Sequence, residues 1–497
     1  MTKTGTCTRE HSLRLSRRAF LGRTAALAAA FSTPAWLLQG CGDRSSSAPP
    51  LTVDPSRPWW LQNNFAPVPE EVTSFDLPLR GSIPRELSGL YVRNGSNAQR
   101  NNSRHWFFGD GMVHGVRLEG GRALAFRNRY VQTELYRKDF TIGDGLFIPA
   151  HGANQSNVSC VHHAGRLLTS GEIGVPHQLD PDDLSTIGYH DFGGRLTTSF
   201  TAHPKIDPAT GNMHFFGYWF ADPFLSYHVV DPAGELISSQ VIPVQKPTMM
   251  HSFAITERDV LFWELPVLFD VGIAAQGRAD VFRWDPGYGA RIGVMPLGGS
   301  AADIRWVEVP LGYVYHETNA FRRGDEIVLD VSRYDRMFDQ GHDFLGADLT
   351  LRRWTIRDSG DDLSFSEQVV LDRPLEFPMH DQRLTGRPHR FGWFNDLRDS
   401  TETFNPGGIT RVDFSNGSST SWDPGEARQA AEPYFVPGGP GEGDGWLLTY
   451  VYDRASDSSV LAILDATSVA RGPVAEITLP QRVPFGFHGT WVPGTES

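Results

Sequence analysis

The side chains of this chain best able to hold a reactive metal are its 17 histidines, since it carries only 3 cysteines. Cys7, Cys41 and Cys160 are too few and too scattered for a thiolate site. If Cys41 is consumed by the processing signal in which it stands, no intramolecular disulfide remains possible. The histidines are harder to sort. His203, in Thr201-Ala-His-Pro-Lys, reads as an ordinary loop residue, and a lone histidine is far more often packed or exposed than ligating. As one member of a metal shell it needs partners hundreds of residues away, and a fold that brings such distant points together.

The elements that must position it are strands. Short runs of β-branched and aromatic residues, "GLYVRNGS", "GNMHFFGYWF", "DEIVLDVSRY" and "GWLLTYVYD", are separated by Gly, Asp, Asn and Pro, and long helical periodicity is absent. Asp-Pro follows a large apolar residue at Asp180, Asp207, Asp231 and Asp285, a spacing that suits antiparallel strand pairs. Four-stranded units of roughly 50 to 65 residues suit propeller blades, and a chain of this length has room for about seven. On these residues alone a β-sandwich or a multi-domain β-protein remains open. "ELYRKDFTIGDGLFIPAHGA" and "ELPVLFDVGIAAQ" interrupt the rhythm and are expected to be insertions over one face.

Residues 1–40 differ in kind: six basic residues against the single acid Glu10, the twin-arginine pattern "SRRAFLG", then an apolar run. Ser32, Thr33 and Pro34 leave that run too short and too interrupted to span a membrane. It ends on Leu38-Gln39-Gly40-Cys41, which resembles a lipoprotein box. The expectation is an exported bacterial lipoprotein, anchored on the periplasmic or extracellular side of a membrane through acylated Cys41. Residues 41–58, with "DRSSSAPPLTVDPSRP", read as a Ser/Pro-rich tether, and the folded body as residues 59–497. A formal net charge of −13, more negative still without the basic leader, argues against a nucleic-acid partner.

Four histidine contexts, His203 in "TAHPK", His251 in "MMHSFAIT", His316 in "YHETNAF" and His488 in "PFGFHGTW", together resemble the carotenoid cleavage oxygenase family. The resemblance includes "LRGSIPRELSGLYVRNGSN", "WFFGDGMVHGVRLEGGRALAFRNRYVQT" and "LDPDDLSTIG", and so extends over nearly the whole chain past the leader. One departure is Ser252, where the family usually has Asp after the histidine. The resemblance implies an all-β fold, a seven-bladed β-propeller with a helical and loop cap over the iron-bearing face. It also implies Fe(2+) held on the axis by His203, His251, His316 and His488. Four neutral nitrogen ligands suit ferrous iron and leave coordination positions free. Glu172 in "LLTSGEIG", Glu376 in "PLEFP" and Glu432 in "AAEPYFV" match the family's outer carboxylates, expected to accept the second ring N–H of His251, His316 and His488 in that order. His203 is left without one.

The activity so implied is cleavage of a carbon–carbon double bond by dioxygen, giving two carbonyl products, with an apocarotenoid or carotenoid as the first choice of substrate. Phe147-Ile148-Pro149 and "LFWELPVLF" can line an apolar tunnel for it or can be core. A stilbene-cleaving dioxygenase is the alternative. Against it, Leu135 stands where that branch's phenol-binding lysine is expected, and the nearest lysine is Lys138. An iron-dependent isomerase of the same fold and a non-catalytic lipid-binding lipoprotein complete the alternatives.

Overall fold

A computed structural model describes residues 51–99, 103–138, 154–276, 281–339, 348–399 and 403–494. The leader, Cys41, Phe147-Ile148-Pro149 and the side chain of Lys138 lie outside the described residues. The described chain forms seven antiparallel sheets and one added two-stranded hairpin, Val267–Phe269 with Phe282–Trp284. Blades 2 to 6 are meanders of four strands each, and their innermost strands are Ser159–His163, Lys205–Ile206, Ala254–Ile255, Tyr313–Arg323 and Leu375–Met379. The seven-bladed propeller expected from the resemblance is the fold.

Both ends of the chain close the ring. In blade 1 the C-terminal strand Gly489–Pro493 pairs with Gly89–Ser96, from Arg93↔Gly489 to Gly89↔Pro493, and packs beside the inner strand of blade 2. In blade 7 the early strand Leu79–Gly81 pairs with Pro473–Thr478, so residues from near each terminus complete the other end's sheet. Gly81 is required there: its φ is +83°, and a Cβ would lie 2.1 Å from the Val474 carbonyl oxygen. Closure places residue 488 beside residue 203.

Burial along each blade explains the sequence pattern. Strands deep in the blades, such as Met213–Tyr218, Leu225–Val230 and Asp259–Glu264, are buried on both faces along their whole length, their polar members included. Outer strands alternate: Leu236–Val241, and Leu363–Leu371 as far as Gln368, bury every second residue at least partly. Large side chains fill the wedges between blades. Trp393 of blade 6 stacks on Phe435 of blade 7 at 4.8 Å and 5° and donates its indole N–H to the Ala466 carbonyl at 2.9 Å.

The Asp-Pro rhythm marks turns, and from Asp180 to Asp231 they recur every two strands, as a spacing of strand pairs requires. Asp180 and Asp231 begin the link from third to fourth strand in blades 2 and 3, Asp207 begins the link from first to second strand in blade 3, and Asp285 follows the added hairpin. In each, the aspartate Oδ1 accepts the N–H two residues on, at 2.8 to 3.1 Å. Within the stretch read as tether, residues from Thr52 contact the body: the Gln62 amide donates to the carbonyls of Asp54, Arg57 and Pro58, and Asn63 to that of Thr52.

Candidate metal centre

In each blade the links entering the first strand and joining the second to the third lie at one end of the ring, because neighbouring strands are antiparallel. All seven sequence-nominated residues lie at that end. His203 and His251 immediately precede the inner strands of blades 3 and 4, and His488 precedes that of blade 1. His316 sits early in the inner strand of blade 5, where the pairing shifts register between Val314 and Glu317, which re-aims the side chain. Glu172 lies in the second-to-third link of blade 2, Glu376 is second in the inner strand of blade 6, and Glu432 precedes Tyr434–Pro437 of blade 7. Each blade contributes one group.

The four histidines converge, with one nitrogen from each lying within 4.8 Å of the others. His251 Nε2 is 2.9 Å from His203 Nε2 and 3.2 Å from His316 Nε2. The opposite ring nitrogens of three face carboxylates. His316 Nδ1 donates to Glu376 at 2.6 Å and His488 Nδ1 to Glu432 at 2.8 Å. His251 Nδ1 is 2.8 Å from Glu172, in a contact less well aligned than the other two. No such partner faces His203 among the described residues. Its backbone N–H is held instead by Thr201 Oγ1 at 3.1 Å.

These partners fix the tautomers. With Nδ1–H given to a carboxylate, His251 and His316 present only lone pairs at Nε2, and two lone pairs 3.2 Å apart need a cation between them. Burial, with the neighbouring imidazoles, holds His203 and His316 well below the usual histidine range, so both are neutral at pH 7. Burial also pushes the Glu376 carboxyl up to about 7. A divalent cation on the imidazoles favours its ionised form. The donor set fits a transition metal with affinity for neutral nitrogen.

The carboxylates are themselves held, by groups that sequence reasoning did not nominate. Tyr218 donates to Glu172 at 3.1 Å, Tyr334 and the Phe377 N–H donate to Glu376 at 3.2 and 2.6 Å, and the Gly489 N–H donates to Glu432 at 2.9 Å. The two tyrosines carried no local signal, since each lies in an ordinary strand pattern.

Two adjoining cavities lead to the histidines and share Phe107, Val158, Glu172 and Met249. The outer one is bounded by Phe220, Phe269 and Phe282, and the inner one by Trp106, Phe377 and Phe487. Glutamates are the only acids lining them and no Lys or Arg does, among the described residues. "LFWELPVLF" is both things expected of it: Leu261 to Glu264 are buried in the blade and Leu265 to Leu268 beside it, while Phe269 faces the cavity. From the other side a channel whose lining includes Lys205, Glu317, Asp381 and Arg383 reaches His203, His316 and His488.

The sequence profile described as "Retinal pigment epithelial membrane protein" matches residues 65–493. A Mycobacterium tuberculosis carotenoid cleavage oxygenase is 36% identical over 499 residues, covering 88% of this chain and 98% of that protein. Among solved structures, lignostilbene dioxygenase of Pseudomonas brassicacearum superposes with a TM-score of 0.81 at 29% identity, covering 88% of this chain and 99% of that one. Cobalt-substituted ACO of Synechocystis does so with a TM-score of 0.78 at 28% identity, covering 88% and 98%. With seven blades, four converging histidines and this similarity over nearly the whole described chain, the protein belongs to the retinal pigment epithelial membrane protein family, that of the carotenoid cleavage oxygenases.

Proposed function

We propose that this chain is a non-haem Fe(II) dioxygenase that cleaves a carbon–carbon double bond of an apocarotenoid or carotenoid with dioxygen, yielding two carbonyl products. The observation that carries the reading is four imidazoles converging at the inner end of an apolar cavity. His203, His251, His316 and His488 are the proposed ligands, and Glu172, Glu376 and Glu432 orient three of them. Bound ferrous iron supplies dioxygen activation beside the alkene. The protein's own part is to desolvate and align a long apolar substrate: Trp106, Phe107, Phe377 and Phe487 present rings around the site and keep water out. The balance needs nothing further, since one double bond and one dioxygen give two carbonyls with no proton transferred.

A phenolic stilbene fits this cavity less well. The amides of Asn154, Gln155 and Asn157, in the lining of the outer cavity, donate to the carbonyls of Val175, Phe108 and Phe107, and Leu135 is buried. The test is oxygen uptake by iron-loaded protein offered apocarotenoids, carotenoids and hydroxylated stilbenes in turn. Uptake with the polyenes is expected. Uptake with stilbenes only moves the assignment to that branch, isomerised product without uptake makes it an isomerase, and inertness across the panel favours a binding lipoprotein.

We further propose that residues 1–40 are a twin-arginine lipoprotein signal and that acylated Cys41 anchors the enzyme outside the cytoplasm, close to lipophilic substrate. Cys41→Ser is expected to move the protein from the membrane to the soluble fraction and leave turnover of detergent-dispersed substrate unchanged. Retention of the variant in the membrane fraction contradicts the anchor.

A further inference from the structure

Behind the histidines, on the side of the second channel, lies an ion pair that no part of the reaction employs. Lys205 Nζ pairs with Glu317 Oε1 and stands 3.4 Å from Ser252 Oγ. All three positions are tied in sequence to the metal centre: Lys205 is two residues after His203, Ser252 follows His251, and Glu317 follows His316. One ammonium group therefore links the segments that carry histidines from blades 3, 4 and 5. The Glu317 side chain is 4% exposed and that of Lys205 18%, and Glu317 is the only carboxylate paired with Lys205 among the described residues. Such a pair is a poor source of stability, because desolvation offsets most of its attraction, and its better-attested use is to fix a register.

His203 is where register is needed. Three ligand histidines have a carboxylate on Nδ1; His203 has none, and it precedes an inner strand of only two residues, Lys205–Ile206. We propose that Lys205 and Glu317 are positioning residues for the metal centre: their ion pair ties the His203 segment to the His316 segment and so holds in place the one ligand ring that no carboxylate orients. The charge and reach of the pair are then what matter, not the volume it fills. This inference rests on the four-histidine metal site.

The test uses the full chain, loaded with Fe(II) or, for spectroscopy, Co(II), in four forms: wild type, Lys205→Met, Glu317→Gln and the double variant Lys205→Met/Glu317→Met. Read-outs are the rate of metal loss to a chelator, the visible Co(II) bands, and the urea midpoint of the metal-free protein. Each single variant is expected to release metal about 10- to 100-fold faster and to shift the Co(II) bands. The double variant, with an apolar pair of similar volume, is expected to regain the wild-type urea midpoint and keep the fast metal loss. Metal loss and Co(II) spectra equal to wild type in both single variants overturn the proposal. So does a double variant that recovers slow metal loss together with its midpoint, because packing alone is then sufficient. Wild-type protein that takes up no metal removes the four-histidine reading itself, a different failure from normal uptake by every variant.

Discussion

His488→Ala is expected to leave the chain folded and without iron: metal content at background, and turnover down by more than ~100-fold, beyond the range for loss of an outer partner. The substitution removes one of four nitrogens, and among the described residues no other His, Cys, Asp or Glu joins the group. It also leaves Glu432 with the Gly489 N–H as its remaining partner, a buried carboxylate missing a hydrogen bond, which costs about 1–3 kcal/mol of stability. The blade core around it is untouched, so a cooperative urea transition is retained. Glu432→Gln is the paired control. A carboxamide can keep the Gly489 contact and hold the ring, but it cannot raise the ring's basicity, so iron affinity or turnover is expected to fall about 10- to 100-fold. Metal analysis and turnover of the two variants side by side check the ranking. Equal behaviour of Glu432→Gln and wild type in both contradicts the role given to the carboxylate.

The largest loss of stability is expected from Trp393→Ala, about 3–5 kcal/mol. Trp393 is fully buried, its ring lies flat on Phe435, and its indole N–H satisfies the Ala466 carbonyl. Truncation opens a cavity between blades 6 and 7 and orphans that carbonyl. In a closed ring such a gap loosens the seam on which closure depends, so the whole propeller is expected to unfold at lower urea in one transition. Because Trp393 faces neither cavity, the protein that remains folded is expected to hold metal as wild type does. A shift of the urea midpoint worth under ~1 kcal/mol contradicts the view that wedges of this kind hold the blades together.

The site was more legible in the sequence than the fold. Motifs such as "PFGFHGTW" and "PLEFP" are local strings, and a buried carboxylate in an apolar setting announces its need for a partner. The propeller was legible through family resemblance more than through pattern, because what makes a ring is pairing between residues far apart, such as Arg93 with Gly489 or Leu79 with Ile477. No local periodicity carries that. The Asp-Pro spacing follows strand pairs but does not mark blade boundaries: first-to-second and third-to-fourth turns of a blade use the same Asx chemistry, so Asp207 and Asp231 look alike while serving different links. Tyr218 and Tyr334 escaped notice because their hydroxyls act on Glu172 and Glu376 across the fold, with no signature in their own strands. Lys205 and Glu317 lay inside quoted motifs. Only their meeting across blades 3 and 5 gives them a role.

The measurement that bears most directly on the central claim is the fate of labelled dioxygen. Iron-loaded protein is given an apocarotenoid under labelled oxygen, and both products are trapped and weighed before exchange with water erodes the label. Oxygen-dependent cleavage at a single double bond is predicted, with one labelled oxygen atom in each of the two carbonyl products. Cleavage with label in only one product, or a product of unchanged mass formed equally well without oxygen, contradicts dioxygenation by this four-histidine site.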